Sequence, residues 1–213
     1  MRKKRSYYAS KYMDILWLLL YLFFCYLMFN ITIQYIPYDT DVAFLRIKQS
    51  YIDIDHWRVA FFIHVYASMF SLLAGMTQFS RWLLRHYPVI HRRLGMIYVI
   101  TVLFVSSPSG LVMGFYANGG IFSRIAFVLL SILWFYFTWQ AWRLAMKGDY
   151  KKHRQFMIRS FALTLSAITL RAWKFLIMNN LHVPPMDVYR FVAWWGWGFN
   201  WLIAEWILWR EKK

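Results

Sequence analysis

Residues 94–116 read LGMIYVITVLFVSSPSGLVMGFY, 23 positions without one Asp, Glu, Lys, Arg or His. A bilayer core is crossed by about 20 mostly apolar helical residues, so this run is long enough to span it and too long for a buried strand. His91-Arg92-Arg93 precedes the run and Asn118-Gly119-Gly120 follows it, marking a basic end and a turn. Comparable runs lie at about 13–36, 58–80, 124–146, 157–179 and 189–209. Lipid cannot satisfy free backbone groups, and these runs lack the alternation of a barrel strand. The sequence therefore predicts an all-α polytopic membrane helix bundle, about six transmembrane helices in a single transmembrane domain over residues 1–213.

Composition agrees with this expectation, since 61% of the residues are hydrophobic and 22% aromatic, more than a water-soluble core absorbs. Arg2-Lys3-Lys4-Arg5 ahead of the first run resembles a secretory leader, but the run is too long and has no small-residue cleavage site. It reads as a retained first span. The one cysteine, Cys25, sits inside that run, so no internal disulfide forms and a small buried hydrophobe is expected.

The formal charge of +16 would suit a nucleic-acid binder if its cations shared one face. They are sorted by loop instead, so no nucleic-acid partner is expected. Arg2, Lys3, Lys4, Arg5 and Lys11, then Arg81, Arg85, Arg92 and Arg93, then Arg143, Lys147, Lys151, Lys152 and Arg154, and finally Arg210, Lys212 and Lys213 fall on one side. The other side has Arg46, Lys48, Arg58, Arg124 and Arg190, interleaved with Asp39, Asp41, Asp53, Asp55 and Asp187. The positive-inside rule then predicts a multi-pass protein of the cytoplasmic (inner) membrane with both termini cytoplasmic. Trp57, Trp82, Trp194 and Trp195 near span ends fit an interfacial aromatic belt.

Gln78-x-x-Arg81-x9-His91-Arg92 recurs 62 residues later as Gln140-x-x-Arg143-x9-His153-Arg154. Spans two-three and four-five would then form a parallel two-helix repeat; chance placement in two basic loops is the rival. Span two sets His64, Ser68, Ser71, Gly75 and Gln78 on one helical face, a pattern that serves helix packing. His64 is the histidine that lies well inside a span, where an ionisable group is a functional hypothesis by default. In span three, Pro108 within Ser106-Ser107-Pro108-Ser109-Gly110 removes one helical hydrogen bond and predicts a kink or break near Val105. Arg171 in span five falls at about the same depth as Ser109 and His64, some 10–12 Å from the outer surface. His64, Ser107, Ser109 and Arg171 are the candidate ligand-binding residues, suited to an anionic headgroup, a quinone oxygen or a small acid. Lys174 is expected to snorkel to lipid phosphates.

His91 and His153, at the basic starts of spans three and five, are the candidate haem or metal ligands; contact with lipid headgroups is their alternative role. Pro108, Gly110, Arg159 and Glu205 are expected to be structural, the last two as an inter-helix salt bridge near the basic end. The chain has no Walker loop, HExxH or hydrolase nucleophile motif, and whether it is an enzyme stays open.

The set comprising His64, Gly75-x-x-Gln78-Phe79, His91-Arg92 with Gly95 and Tyr98, Ser107-Pro108-Ser109-Gly110, Ala117-Asn118-Gly119-Gly120, His153-Arg154, Met157-Ile158-Arg159-Ser160 and Leu170-Arg171 resembles bacterial membrane proteins catalogued as domain of unknown function 2306. The resemblance covers about residues 57–175, and its motif positions do not include Cys25, Lys174, Glu205 or the first and last spans. It implies a multi-pass membrane protein without an established reaction. Three readings remain: an intramembrane polar pocket for a small or lipidic ligand, with redox chemistry through haem b or quinone as one branch; a small-solute permease; and a non-catalytic assembly subunit. The lipid bilayer is the one partner common to all three.

Overall fold

The computed structural model describes residues 2–211, with side chains from Ile15 onward except Trp17. The basic side chains of Arg2, Lys3, Lys4, Arg5, Lys11, Lys212 and Lys213 lie outside that description. Helix accounts for 85% of the structure, with no strand among the described residues. In order, the elements are α1 (Arg2–Ile33), a 3-10 segment (Ala43–Tyr51), α2 (Asp55–Thr77), α3 (Arg81–His86), α4 (Pro88–Ile100), a π segment (Thr101–Ser106), α5 (Ser107–Phe115), α6 (Gly120–Met146), α7 (Tyr150–Thr164), α8 (Ser166–Asn180) and α9 (Pro185–Arg210).

Asp55–Thr77, Pro88–Phe115, Gly120–Met146 and Tyr150–Asn180 are each long and apolar enough to cross a membrane. In α1 the apolar stretch is shorter, Leu18–Ile33, and α9 is 26 residues long but carries Asp187, Arg190, Asn200 and Glu205. The chain is an all-α polytopic bundle. Its outer surface fits lipid rather than water, with Phe104 at 70% and Ile132 at 50% exposure in the middle of apolar spans.

In lipid the hydrophobic effect does not drive helices together, so packing and polar contacts must. α2 lies against α1, α4, the π segment, α5 and α7, while α6 lies between α5 and α7 and α8 packs on α9. Gly75 lets α2 approach its neighbours: a Cβ there would sit 2.7 Å from the Phe161 ring and 2.9 Å from that of Tyr98. Deep in this core the Tyr98 hydroxyl bonds Ser160 (2.6 Å) and Thr164 (2.8 Å), the Trp134 indole donates to Thr164 (3.0 Å), and Thr138 joins Ser160 (2.6 Å). Tyr98, Ser160 and Thr138 are fully buried, and their mutual bonds remove the penalty that unpaired hydroxyls would carry there. Cys25 packs with Met28, Leu72 and Ile168.

Three expectations change. Pro108 does not break its helix, because the backbone widens to a π turn in which the Ser107 N–H donates to Val102 five residues back. Pro88–Phe115 therefore runs through as one span. The fifth run, by contrast, lapses at Leu165 between α7 and α8 without any Pro or Gly to signal it. There the Ala162 carbonyl, whose helical partner would be the Ser166 N–H, accepts from Asn200 Nδ2 of α9 (3.1 Å), which also donates to Thr169 (2.9 Å). Trp57 is no interfacial belt residue: it is 1% exposed, packed with Tyr35, Leu45 and Phe61 where the 3-10 segment folds onto the bundle end.

Arg159 and Glu205 join α7 to α9 by a two-pronged ion pair, Nε–Oε1 2.5 Å and Nη2–Oε2 2.8 Å, and Trp201 Nε1 donates to the same carboxylate (3.0 Å). Removing one partner leaves a charge at partial membrane depth. Arg159→Ala and Glu205→Ala are each expected to cost about 1–3 kcal/mol, short of the fully buried range because the Glu205 side chain is 40% exposed. The double variant should be no worse than the worse single one, as read from thermal unfolding in mild detergent. Asn200→Ala should lower the same midpoint by about 1–2 kcal/mol, the cost of leaving the Ala162 carbonyl unbonded; an unchanged midpoint would show that the lapse at Leu165 needs no brace.

Candidate functional site

The π turn that absorbs Pro108 also builds one wall of a cavity. Proline has no N–H for the carbonyl four residues back, so the carbonyls around it are open to other donors. Ser109 Oγ donates to the Val105 carbonyl (2.5 Å), and His64 Nδ1 lies 2.9 Å from the Ser106 carbonyl and 3.2 Å from Ser109 Oγ. A carbonyl only accepts, so Nδ1 carries the proton, and in the neutral ring Nε2 is the bare nitrogen. Gly110 makes the approach possible, since a Cβ there would come within 3.1 Å of His64 Cε1 and 3.2 Å of Ser131 Oγ.

His64 opens onto a cavity of about 690 Å³ between α1, the 3-10 segment, α2, α5, α6 and α8. Apolar side chains such as Met28, Phe61, Leu72, Leu130 and Leu170 make most of its wall. Its charged lining consists of Lys48, Arg171 and Lys174, with no Asp or Glu among the lining residues. Arg171 Nη1 donates to the Ala167 carbonyl one turn back (2.7 Å), and its charge is felt at both His64 and Tyr35. Among the described residues, its remaining N–H groups have no protein acceptor. Ser68 and Thr164, the latter part of the Tyr98 network, also line the wall, with the Ser68 hydroxyl oxygen itself sealed.

Lys48 closes the end of the cavity that the 3-10 segment covers. It is 2% exposed, its ammonium donates to the Tyr116 carbonyl, and it lies 4.8 Å from the centre of the Tyr51 ring. Burial, with Arg124 adding repulsion, brings its pKa down to about 8.

Of the four residues expected to bind a ligand, His64 and Arg171 line the cavity and Ser109 holds His64 from behind. Ser107 turns the other way, donating to the Ser131 carbonyl of α6 (2.7 Å). Lys174, expected to snorkel, lies three residues beyond Arg171 on the same helix face and lines the same cavity. Lys48 sits in a loop with polar and acidic neighbours, where nothing in the sequence signals burial.

At the opposite end His91 and His153 are each the fourth residue of their helices, α4 and α7. They lie within electrostatic range of one another. His153 Nδ1 bonds the Ala141 carbonyl (2.7 Å), whereas His91 Nδ1 is buried without a partner. The described residues contain no group of three or more His, Cys, Asp or Glu that would hold a metal ion. The repeat holds for the histidines but not around them, because α3 intervenes after Gln78 while Gln140 and Arg143 remain inside α6.

No curated protein and no solved structure shows significant similarity to this chain. One family does: residues 61–208 match the family described as predicted membrane protein (DUF2306). The match takes in His64, Pro108, Arg171, His91 and His153, and it also takes in Lys174, Glu205 and most of α9, which the sequence motifs alone had left outside. Since it covers well over half of the sequence and all but one residue of the cavity's cationic set, the chain belongs to this family of membrane proteins of unknown function.

Proposed function

We propose that this protein binds an amphiphilic anion inside the inner membrane, in the cavity shared by His64, Arg171, Lys174 and Lys48. The reading rests on one observation: three cations line a largely apolar cavity with no carboxylate among its described lining residues. Charge in a low-dielectric interior is costly unless it is paired, and the Arg159–Glu205 pair is how this bundle pairs charge elsewhere. A negatively charged headgroup with an apolar tail supplies both the missing counter-charge and the surface to cover the walls.

The accompanying topology has six spans, α1 and α9 included, with both termini cytoplasmic and the 3-10 segment outside. It follows the loop cations described above. The cavity then opens toward the outer half of the bilayer. A quinone is the redox form of the same reading, with a quinol hydroxyl meeting His64 Nε2. A haem b held between two histidines is less well supported, because His64 is the one histidine in the cavity wall. The permease reading draws on the lapse at Leu165, and the assembly reading on the polar network of Tyr98.

An alkyl sulfonate, whose charge is constant with pH, is the cleanest first probe. It is expected to bind the purified protein, measured by microscale thermophoresis in a neutral detergent, with Arg171→Gln weakening it by about tenfold or more. An alkyl ammonium of the same chain length should not bind. If both bind equally, or neither does, the reading fails. Lys48 is charged below about pH 8 and loses its proton above it, so sulfonate affinity should fall between pH 7 and 9, and Lys48→Met should flatten that slope.

Topology is tested in a Cys25→Ala background. A membrane-impermeant maleimide should label Asp41→Cys in intact cells and should reach Lys147→Cys only after permeabilisation; the reverse pattern would invert the orientation.

A further inference from the structure

We infer that the headgroup this cavity selects is a lipid phosphate monoester, a step that rests on the anion-binding reading and narrows it. Two demands meet at the site. The cations need negative oxygens, and Arg171 retains N–H groups for them beyond the one spent on Ala167. His64 makes the opposite demand. Its Nδ1 is committed to the Ser106 carbonyl and Ser109 hydroxyl, and its Nε2 has no bond partner and is not among the sealed, unpartnered atoms of the described residues. That nitrogen therefore faces the cavity as an acceptor and needs a proton from the ligand.

A carboxylate, a sulfonate or a phosphodiester offers negative oxygens but no proton for Nε2. A quinol offers a hydroxyl but leaves three cations without a counter-charge. A phosphate monoester offers both, because its last proton leaves near neutral pH, with a second pKa of about 6. One proton is then shared between a phosphate oxygen and Nε2, while the other oxygens meet Arg171 and Lys174. The bond is the same whether the proton is drawn on oxygen or on nitrogen. The apolar walls take the lipid tail, so a lipid and not the free anion is the favoured source.

The apolar component is tested separately from the headgroup. Purified protein in neutral detergent at pH 6.5 is titrated with dioctanoyl phosphatidate, dioctanoyl phosphatidylmethanol (a diester without a hydroxyl), octanoate and inorganic phosphate, with binding read by native mass spectrometry and thermal shift. Phosphatidate is expected to bind at least about tenfold more tightly than the diester of the same chains, the worth of one good charge-assisted hydrogen bond. His64→Gln, whose amide fills similar space, should bring monoester and diester to equal affinity while both still bind.

If phosphatidylmethanol binds as tightly as phosphatidate to the unaltered protein, the monoester inference is overturned and the anion-binding reading stands. If inorganic phosphate binds as tightly as phosphatidate, the lipid source is overturned. If no anionic amphiphile binds, the anion-binding reading itself fails. A preference for phosphatidate that survives His64→Gln would remove His64 from the recognition.

Discussion

Inside a bilayer every backbone N–H and C=O must find a partner within the protein, and this constraint shapes each unusual feature of the bundle. Two helices depart from the α ladder, and each departure is answered by side chains. At Pro108 the backbone widens to a π turn, and Ser109 and His64 take up the Val105 and Ser106 carbonyls. At Leu165 the ladder lapses, and Asn200 donates to Ala162 while Thr169 bonds the Leu165 and Gly196 carbonyls. Both departures border the same cavity, through His64 and Gly110 on one wall and Thr164 and Ser166 on the other. Irregular backbone and open volume coincide because straight, close-packed helices would leave no room between them.

The same medium gives the charges their meaning. Near the basic end, Arg159 has Glu205 and Arg154 has Glu211, each as a two-pronged pair. Such pairing is what a structural charge needs at this depth. Arg171 and Lys174 line the cavity with no carboxylate among its described lining residues, and Lys48 leans on a carbonyl and two aromatic rings. The contrast within one molecule is more telling than any single residue, because it shows that the fold can supply counter-charges and does not supply them here.

The sequence made the bundle legible because a span announces itself by length and apolarity alone. Residues 94–116 need no neighbour to be read. His64, Arg171, Arg159 and Glu205 were legible for the same reason, as ionisable side chains inside apolar runs. Legibility failed where a local irregularity rotated side chains. A π turn adds a residue to one turn and shifts everything after it by about 100°, so Ser107 and Ser109 could not be assigned to a face by counting. Ser107 went to α6 and Ser109 to His64. Asn200 was invisible as a brace because no Pro or Gly marks the lapse at Leu165. Lys48 gave no signal of burial and Trp57 was read as a belt residue, since a loop with four nearby aspartates looks like surface, whereas its 3-10 segment packs onto the bundle end and buries both.

The buried hydroxyl cluster explains how such a cavity persists in a protein held together without a hydrophobic drive between its helices. Apolar contacts alone would let the helices slide together and close the empty volume, because lipid tails compete equally well for the same surfaces. Tyr98, Ser160, Thr164, Thr138 and Trp134 fix α4, α6 and α7 to one another at defined points, and none of their bonds survives a slide of one helical turn. Thr164 and Trp134 belong to this cluster and to the cavity wall at once. The polar core thus sets the spacing of the helices just where the cavity begins, so that the geometry around His64 and Arg171 is held by bonds that take no part in recognising a ligand.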